Sequence, residues 1–176
     1  ARIVEEAIVG PSLGEAAIHA GLLSALIGLV VVLVFMMLYY NRAGTVANVA
    51  VFVNLFFLMG VLASLGAVLT LPGIAGIVLT MGIAVDANVL IYERIREELG
   101  HGKSIRLAVS DGYKHALSSI LDSNITTFLT GVILYAFGSG PILGFATTLM
   151  IGIITSLFCS ILISRLIFEW MFEKGW

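Results

Sequence analysis

Residues 70–99 read TLPGIAGIVLTMGIAVDANVLIYERIREEL, an apolar run that switches abruptly to charge near its end. A helix crosses a bilayer with about 20 mostly apolar residues, and the stretch 72–92 supplies that length. Pro72 suits the opening turn of such a helix, where its missing N–H is not needed. One ionisable side chain, Asp86, stands inside the apolar run, with Asn88 two places further on. An acid at that depth costs roughly 3 kcal/mol even on insertion scales, so it must face protein or water and marks a functional position.

Four further segments have the same character: 21–40, 46–69, 117–137 and 143–168. Short turns separate them, Asn41–Gly44 between the first two and Gly138–Pro141 between the last two. The composition agrees, with 60% hydrophobic and only 11% charged residues, against about 25% charged in soluble domains. The expected fold is therefore all-α, a membrane bundle of five transmembrane helices over 21–176. Residues 1–20 are expected to form an extracytoplasmic connecting segment, with a turn at Gly10-Pro11-Ser12 and Ser12 as a helix cap. The polar stretch 93–116 holds most of the charge and keeps helical periodicity into the cytoplasm, with Glu93/Glu97 and Arg94/Glu98 at helical neighbour spacing. Gly100 and Gly102 interrupt it, and Ser104 is placed to cap a short amphipathic helix carrying Ile105, Leu107, Ala108 and Val109 at the membrane interface. Its charges are expected to be a solvated face.

Eight of the nine basic residues fall on one side of this topology: Arg42, Arg94, Arg96, Lys103, Arg106, Lys114, Arg165 and Lys174. The positive-inside rule makes that side cytoplasmic and puts the start of the chain outside. With no signal-peptide pattern at the start, an upstream membrane helix is expected, and the chain is expected to be a fragment. A net charge of -2 gives no sign of nucleic-acid affinity. The single cysteine, Cys159, has no partner for a disulfide or a thiolate metal cluster and reads as a small packing residue. His19, His101 and His115 lie outside the spans without ligand spacing. No nucleophile elbow, HExxH or phosphate loop is present, so hydrolytic chemistry has no support, and no metal site or cofactor is expected beyond a coupling ion.

Asp122 is the second acid within a span. Asp86 lies about 6 residues, or roughly 9 Å, from the end of its helix near Tyr92, and Asp122 enters its own helix about 5 residues, or roughly 8 Å, past Leu117. The two helices run antiparallel, so both acids are expected in one layer. Ser118, Asp122, Thr126 and Thr130 recur every four residues along one face, with Asn124 and Thr127 beside them and Asn54 near the same level. Such a layer is suited to hold water and pass a proton, because two carboxylates in a water-poor site resist being charged together. Asp86, Asp122, Asn88 and Thr126 are the candidate relay residues. The period-four small residues Gly144, Thr148, Gly152, Ser156, Ser160 and Ser164, and Gly76, Thr80 and Ala84, read as close helix packing.

Together with VGPSLG at 9–14, FMMLYYNRAG at 35–44 and DSNITTFLTGVILYAFGSGP at 122–141, the run 70–99 resembles the SecD side of the SecD/SecF family of the Sec protein-export machinery. The resemblance spans essentially the whole chain. It implies half of a resistance-nodulation-division membrane domain, packed against a SecF half that is either a separate chain or fused downstream. It further implies a bacterial or archaeal cytoplasmic membrane, and proton or sodium motive force spent on late steps of translocation. Partners would be the SecY-SecE-SecG channel, the unfolded polypeptide passing through it, and lipid. The family's membrane acid matches Asp86 within GIAVDAN, and Asp122 within DSNITT matches as well, with counter-charges expected from SecF. Efflux pumps of the same superfamily are the alternative, but they typically carry two adjacent aspartates where Asp86 is here followed by Ala87.

Overall fold

The structure is a computed structural model and describes residues 11–67 and 69–175. Helix α1 spans Pro11–Ser64, α2 Leu71–Gly100, α3 Ile105–Phe137 and α4 Pro141–Phe158. A π-helical turn, Cys159–Ile163, joins α4 to α5, Ser164–Glu173. Every regular element among the described residues is helical. Four stretches are long and apolar enough to cross a membrane, Gly14–Ser64, Leu71–Gly100, Ile105–Phe137 and Pro141–Glu173. The chain is thus an all-helical, multi-pass membrane protein.

Helix α1 is not one rod. Asn41 leaves helical geometry, with φ 49° and ψ -118°. The arm after it folds back on the arm before: Asn48 Nδ2 donates to Leu33 O at 3.1 Å. In an unbroken helix those residues would be about 22 Å apart. Gly44 sits where a Cβ would come 2.0 Å from Met36 O, so the elbow closes only around a bare backbone. Thr45 Oγ1 donates to Arg42 O at 2.6 Å and braces the turn. Positive φ at a residue with a side chain costs about 1–3 kcal/mol, least for Asn and Asp. Asn41→Gly should therefore keep or raise the melting temperature in detergent, whereas Asn41→Val should lose about 1–2 kcal/mol of stability.

Some boundaries follow the sequence expectation and others depart from it. Residues 13–20 are helical, as a helix entered near Ser12 requires, but that helix opens at Pro11, so Ser12 stands inside it rather than capping it; residues 1–10 lie outside the described residues. Helix α2 opens as expected, with Thr70 Oγ1 accepting from Gly73 N at 3.1 Å. Past the apolar run it keeps the helical periodicity of 93–99 and continues to Gly100, as expected. Pairs one turn apart accompany the extension, Arg94–Glu97 at 2.6 Å and Arg96–Glu93 at 3.0 Å. The break comes at His101 and Gly102, whose φ of 80° favours glycine. The separate amphipathic helix does not appear. Ser104 precedes a helix, but Ile105–Ala116 are the first turns of α3 itself. Gly112, the one weak helix former there, is held by contact, since a Cβ on it would lie 2.9 Å from Ile95 N.

Small residues set the packing. A Cβ on Gly76 would lie 2.1 Å from Thr148 Oγ1, and one on Gly152 2.4 Å from Thr80 Cγ2. Partners thus advance together along both helices, so α2 and α4 run parallel in a close seam, as small residues allow in membranes. The main core lies toward the Asn41 end, around Met36, Val51, Ile91, Tyr92, Tyr113 and Phe168. A smaller cluster, Leu58, Leu62, Ile77 and Met81, fills the other half.

Candidate ion-coupling site

Contacts between helices fix the level of each candidate. Gly112 abuts Ile95 across the antiparallel α2–α3 pair, so residue 121 stands opposite 86. Asp122 is therefore about 1.5 Å in height from Asp86. In the parallel α2–α4 pair Thr80 meets Gly152, which sets residue 158 level with 86. Phe158 in turn packs its ring on Phe57, 5.8 Å between centroids, and this brings Asn54 within about a turn of Asn88. Asn124 falls within two turns of the same level.

The side chains of this layer divide into an inner and an outer set. Asn54, Asn88 and Asn124 are buried, at 0%, 1% and 4% exposure, together with Ser156 and Ser160. Asn88 Nδ2 donates to Ala84 O at 2.8 Å and Asn124 Nδ2 to Ile120 O at 2.8 Å, while the Oδ1 atoms of all three amides have no hydrogen-bond partner. Asp86, Asp122 and Thr126 instead stand on the exposed surface of the bundle. So do Ser118 and Thr130, and Thr126 Oγ1 donates only to its own helix, at Asp122 O, 2.9 Å. Asn88 therefore does not share a face with Asp86. Among the described residues, no group of three or more His, Cys, Asp or Glu side chains converges as a metal site.

One cluster escaped the sequence reading. Beyond the apolar part of α2, Glu98 is 7% exposed. Its carboxylate meets Lys103 Nζ at 2.5 Å and His115 Nδ1 at 2.8 Å, and Lys103 also reaches Asp111 at 2.6 Å. These charges clasp the end of α2 to the start of α3 rather than forming a solvated face. The signal was there: Glu98 follows Ile91 and Ile95 at helical spacing on the buried side. The Lys103 hydrogen bond comes first among the causes holding Glu98 and Asp111 below their ordinary values of 4.5 and 3.8, and Lys103 is itself raised above 10.5. Depressed carboxylates contribute stability that is complete above their unfolded values and is lost as pH falls through the folded ones. The wild-type melting temperature should therefore fall more steeply than that of Glu98→Gln as pH is lowered below 4.5.

Comparison with known proteins identifies the lineage. A family model described as protein export membrane protein SecD/SecF, C-terminal, matches residues 1–174. The chain belongs to the SecD/SecF family. The protein translocase subunit SecD of Rhodothermus marinus is 59% identical over 169 residues, 96% of this chain and 27% of that protein. SecD of Desulfurispirillum indicum is 60% identical over 167 residues, 95% of this chain and 32% of the relative. The chain thus spans about a third or less of these SecD relatives. A crystal structure of SecDF, a translocon-associated membrane protein from Thermus thermophilus, superposes with a TM-score of 0.91 at 43% identity, covering 95% of this chain and 23% of that one.

Proposed function

We propose that this chain is the membrane part of a Sec translocase accessory subunit that spends an ion gradient on the late steps of protein export. In this reading α1 crosses the bilayer twice, bent at Asn41, so that the bundle has five spans with the basic end in the cytoplasm. The observation that carries the proposal is the placement of Asp86. It sits deep in an apolar helix, on a face that the chain's own helices leave uncovered. Acyl chains do not tolerate a carboxylate, so such a face requires protein or water against it. A SecF half supplying counter-charge would cover it, with Asp86 taking and releasing a proton or Na⁺ as the halves rock between two packings. Asp122, level with Asp86, and Thr126, about one turn further along α3 on the same outer surface, would line the ion's way in, and Asn88 would act from the inner side of α2. The SecY-SecE-SecG channel and the polypeptide within it would be the machinery assisted.

The test is Asp86→Asn in the full-length protein. Export that depends on the gradient should be lost while the protein still accumulates in the membrane. Retention of gradient-dependent export would end the assignment.

A further inference from the structure

On the side of α2 away from Asp86, the bundle buries polar atoms that its own groups do not pair. Asn88 Nδ2 donates to Ala84 O at 2.8 Å, so the acceptor left to the amide is Oδ1, which has no protein partner. Asn54, at 0% exposure, has a partner for neither Oδ1 nor Nδ2. The hydroxyl of Tyr92, one turn past Asn88 on the same face of α2, has none either. The Thr80–Gly152 contact sets Ser160 level with Asn88, and the Phe57–Phe158 rings bring Asn54 within about a turn of both. Ser160 is buried in the π-helical turn, which packs against α1 and α2. Its hydroxyl donates to Ser156 O at 2.7 Å, and its oxygen stays able to accept.

We propose that this region is a buried hydration site, a small cluster of ordered waters held between the second arm of α1, α2 and the π turn. A buried polar atom left bare costs free energy, and folded proteins pair nearly all of theirs. Here Asn54 Oδ1 and Nδ2, Asn88 Oδ1 and the Tyr92 hydroxyl lie in one stretch of the interior. They call for a ligand that both donates and accepts. Water does both, and a buried water makes about three such bonds. A cation suits the site less well, since Asn54 Nδ2 and the hydroxyl protons would oppose it. Nor does a carboxylate balance a charge at this level. Among the described residues, Asp86 and Asp122 stand on the outer surface, and Glu98 is held by Lys103 and His115 at the end of α2. An uncompensated buried charge is far more costly than a buried dipole. The π turn fits the same picture, because it widens the helix where Ser160 sits, as such turns often do at functional positions. The site stands whether or not Asp86 carries the ion.

The experiment is thermal unfolding of the full-length protein in detergent. Asn54→Leu removes no protein hydrogen bond, so a wet and a dry interior answer it in opposite directions. With waters present, leucine displaces them and strands Asn88 Oδ1, and the melting temperature should fall by about 2–4 °C. Asn54→Ala, which leaves room for a further water, should fall less. A dry interior reverses the order: leucine relieves a desolvated amide and raises the temperature, while alanine opens a cavity and lowers it. That order would overturn the proposal. So would a wild type stabilised by NaCl over KCl at equal ionic strength, with the difference lost in Asn54→Leu, because it would give the site to a cation. Independently of any variant, a density map of the wild-type protein that resolves solvent should show a peak about 3 Å from Asn88 Oδ1. A map with ordered solvent elsewhere and none there would also overturn the site.

Discussion

Gly152→Val should unseat α4 from α2 and leave little folded protein at physiological temperature. The first added carbon alone would stand 2.4 Å from Thr80 Cγ2 and 2.6 Å from Thr80 Cβ. Thr80 has no room to retreat, being 0% exposed with its hydroxyl donating to Ile77 O at 2.9 Å. Overpacking a tight core typically costs about 1–3 kcal/mol, and here the clash is with atoms close to the backbone, which places it at or above the upper figure. The helices would have to move apart, and the Gly76–Thr148 contact in the same seam would loosen with them. Residues in contact are energetically coupled, so Thr80→Ala should recover part of the loss when combined with Gly152→Val. Thermal unfolding in detergent of the two single variants and the double checks this. Simple additivity would contradict the seam as described.

The second large effect is functional. Asp86→Asn keeps the shape of the side chain and removes its ability to gain and lose a proton, so stability should change little while coupling disappears. A 100 mV gradient contributes about 2.3 kcal/mol per charge moved, a factor of roughly 50 in an equilibrium. Gradient-dependent export should accordingly fall to the level seen with an uncoupler, and the uncoupler should have no further effect on the variant. Asp86→Glu should retain part of the activity. Asp122→Asn should reduce export without abolishing its gradient dependence, because Asp122 is proposed to line the ion's path rather than to hold its charge. Pulse-chase measurement of a secreted protein, with and without uncoupler, separates these outcomes.

The apolar lengths, the Thr70–Pro72 start of α2 and the antiparallel levelling of Asp86 with Asp122 were legible because each rests on local pattern or on counting residues along a helix. What was not legible depends on contacts between helices. The stretch 93–116 reads as a helical run that stops at Gly100 and Gly102, and so it is, but the clasp of Glu98, Lys103, Asp111 and His115 across the hairpin and the merging of Ile105–Ala116 into α3 depend on contacts that local pattern does not show. Asn88 reads as a companion of Asp86, but two residues along a helix turn a side chain by about 200°, which sets it on the inner face. The stripe from Ser118 to Thr130 is correctly a stripe. That it looks outward, away from the buried amides, follows from which face of α3 Ala116, Ile120 and Asn124 occupy.

The π-helical turn has a further consequence. In α4 and α5 the inward positions come every four residues, Thr148, Gly152, Ser156, Ser160, Ser164 and Phe168, all buried. In a pure α-helix each such step drifts by about 40°, so five steps would carry the last of them some 200° around the rod. Ser164 N instead bonds to Cys159 O, a wider loop that takes up one additional residue and turns the drift back. A relative shorter by one residue between 159 and 163 would close this loop to ordinary α geometry and leave both flanking faces pointing as they do now. The point where this lineage is free to gain or lose a residue therefore includes the interior of a membrane helix, not only its exposed connections.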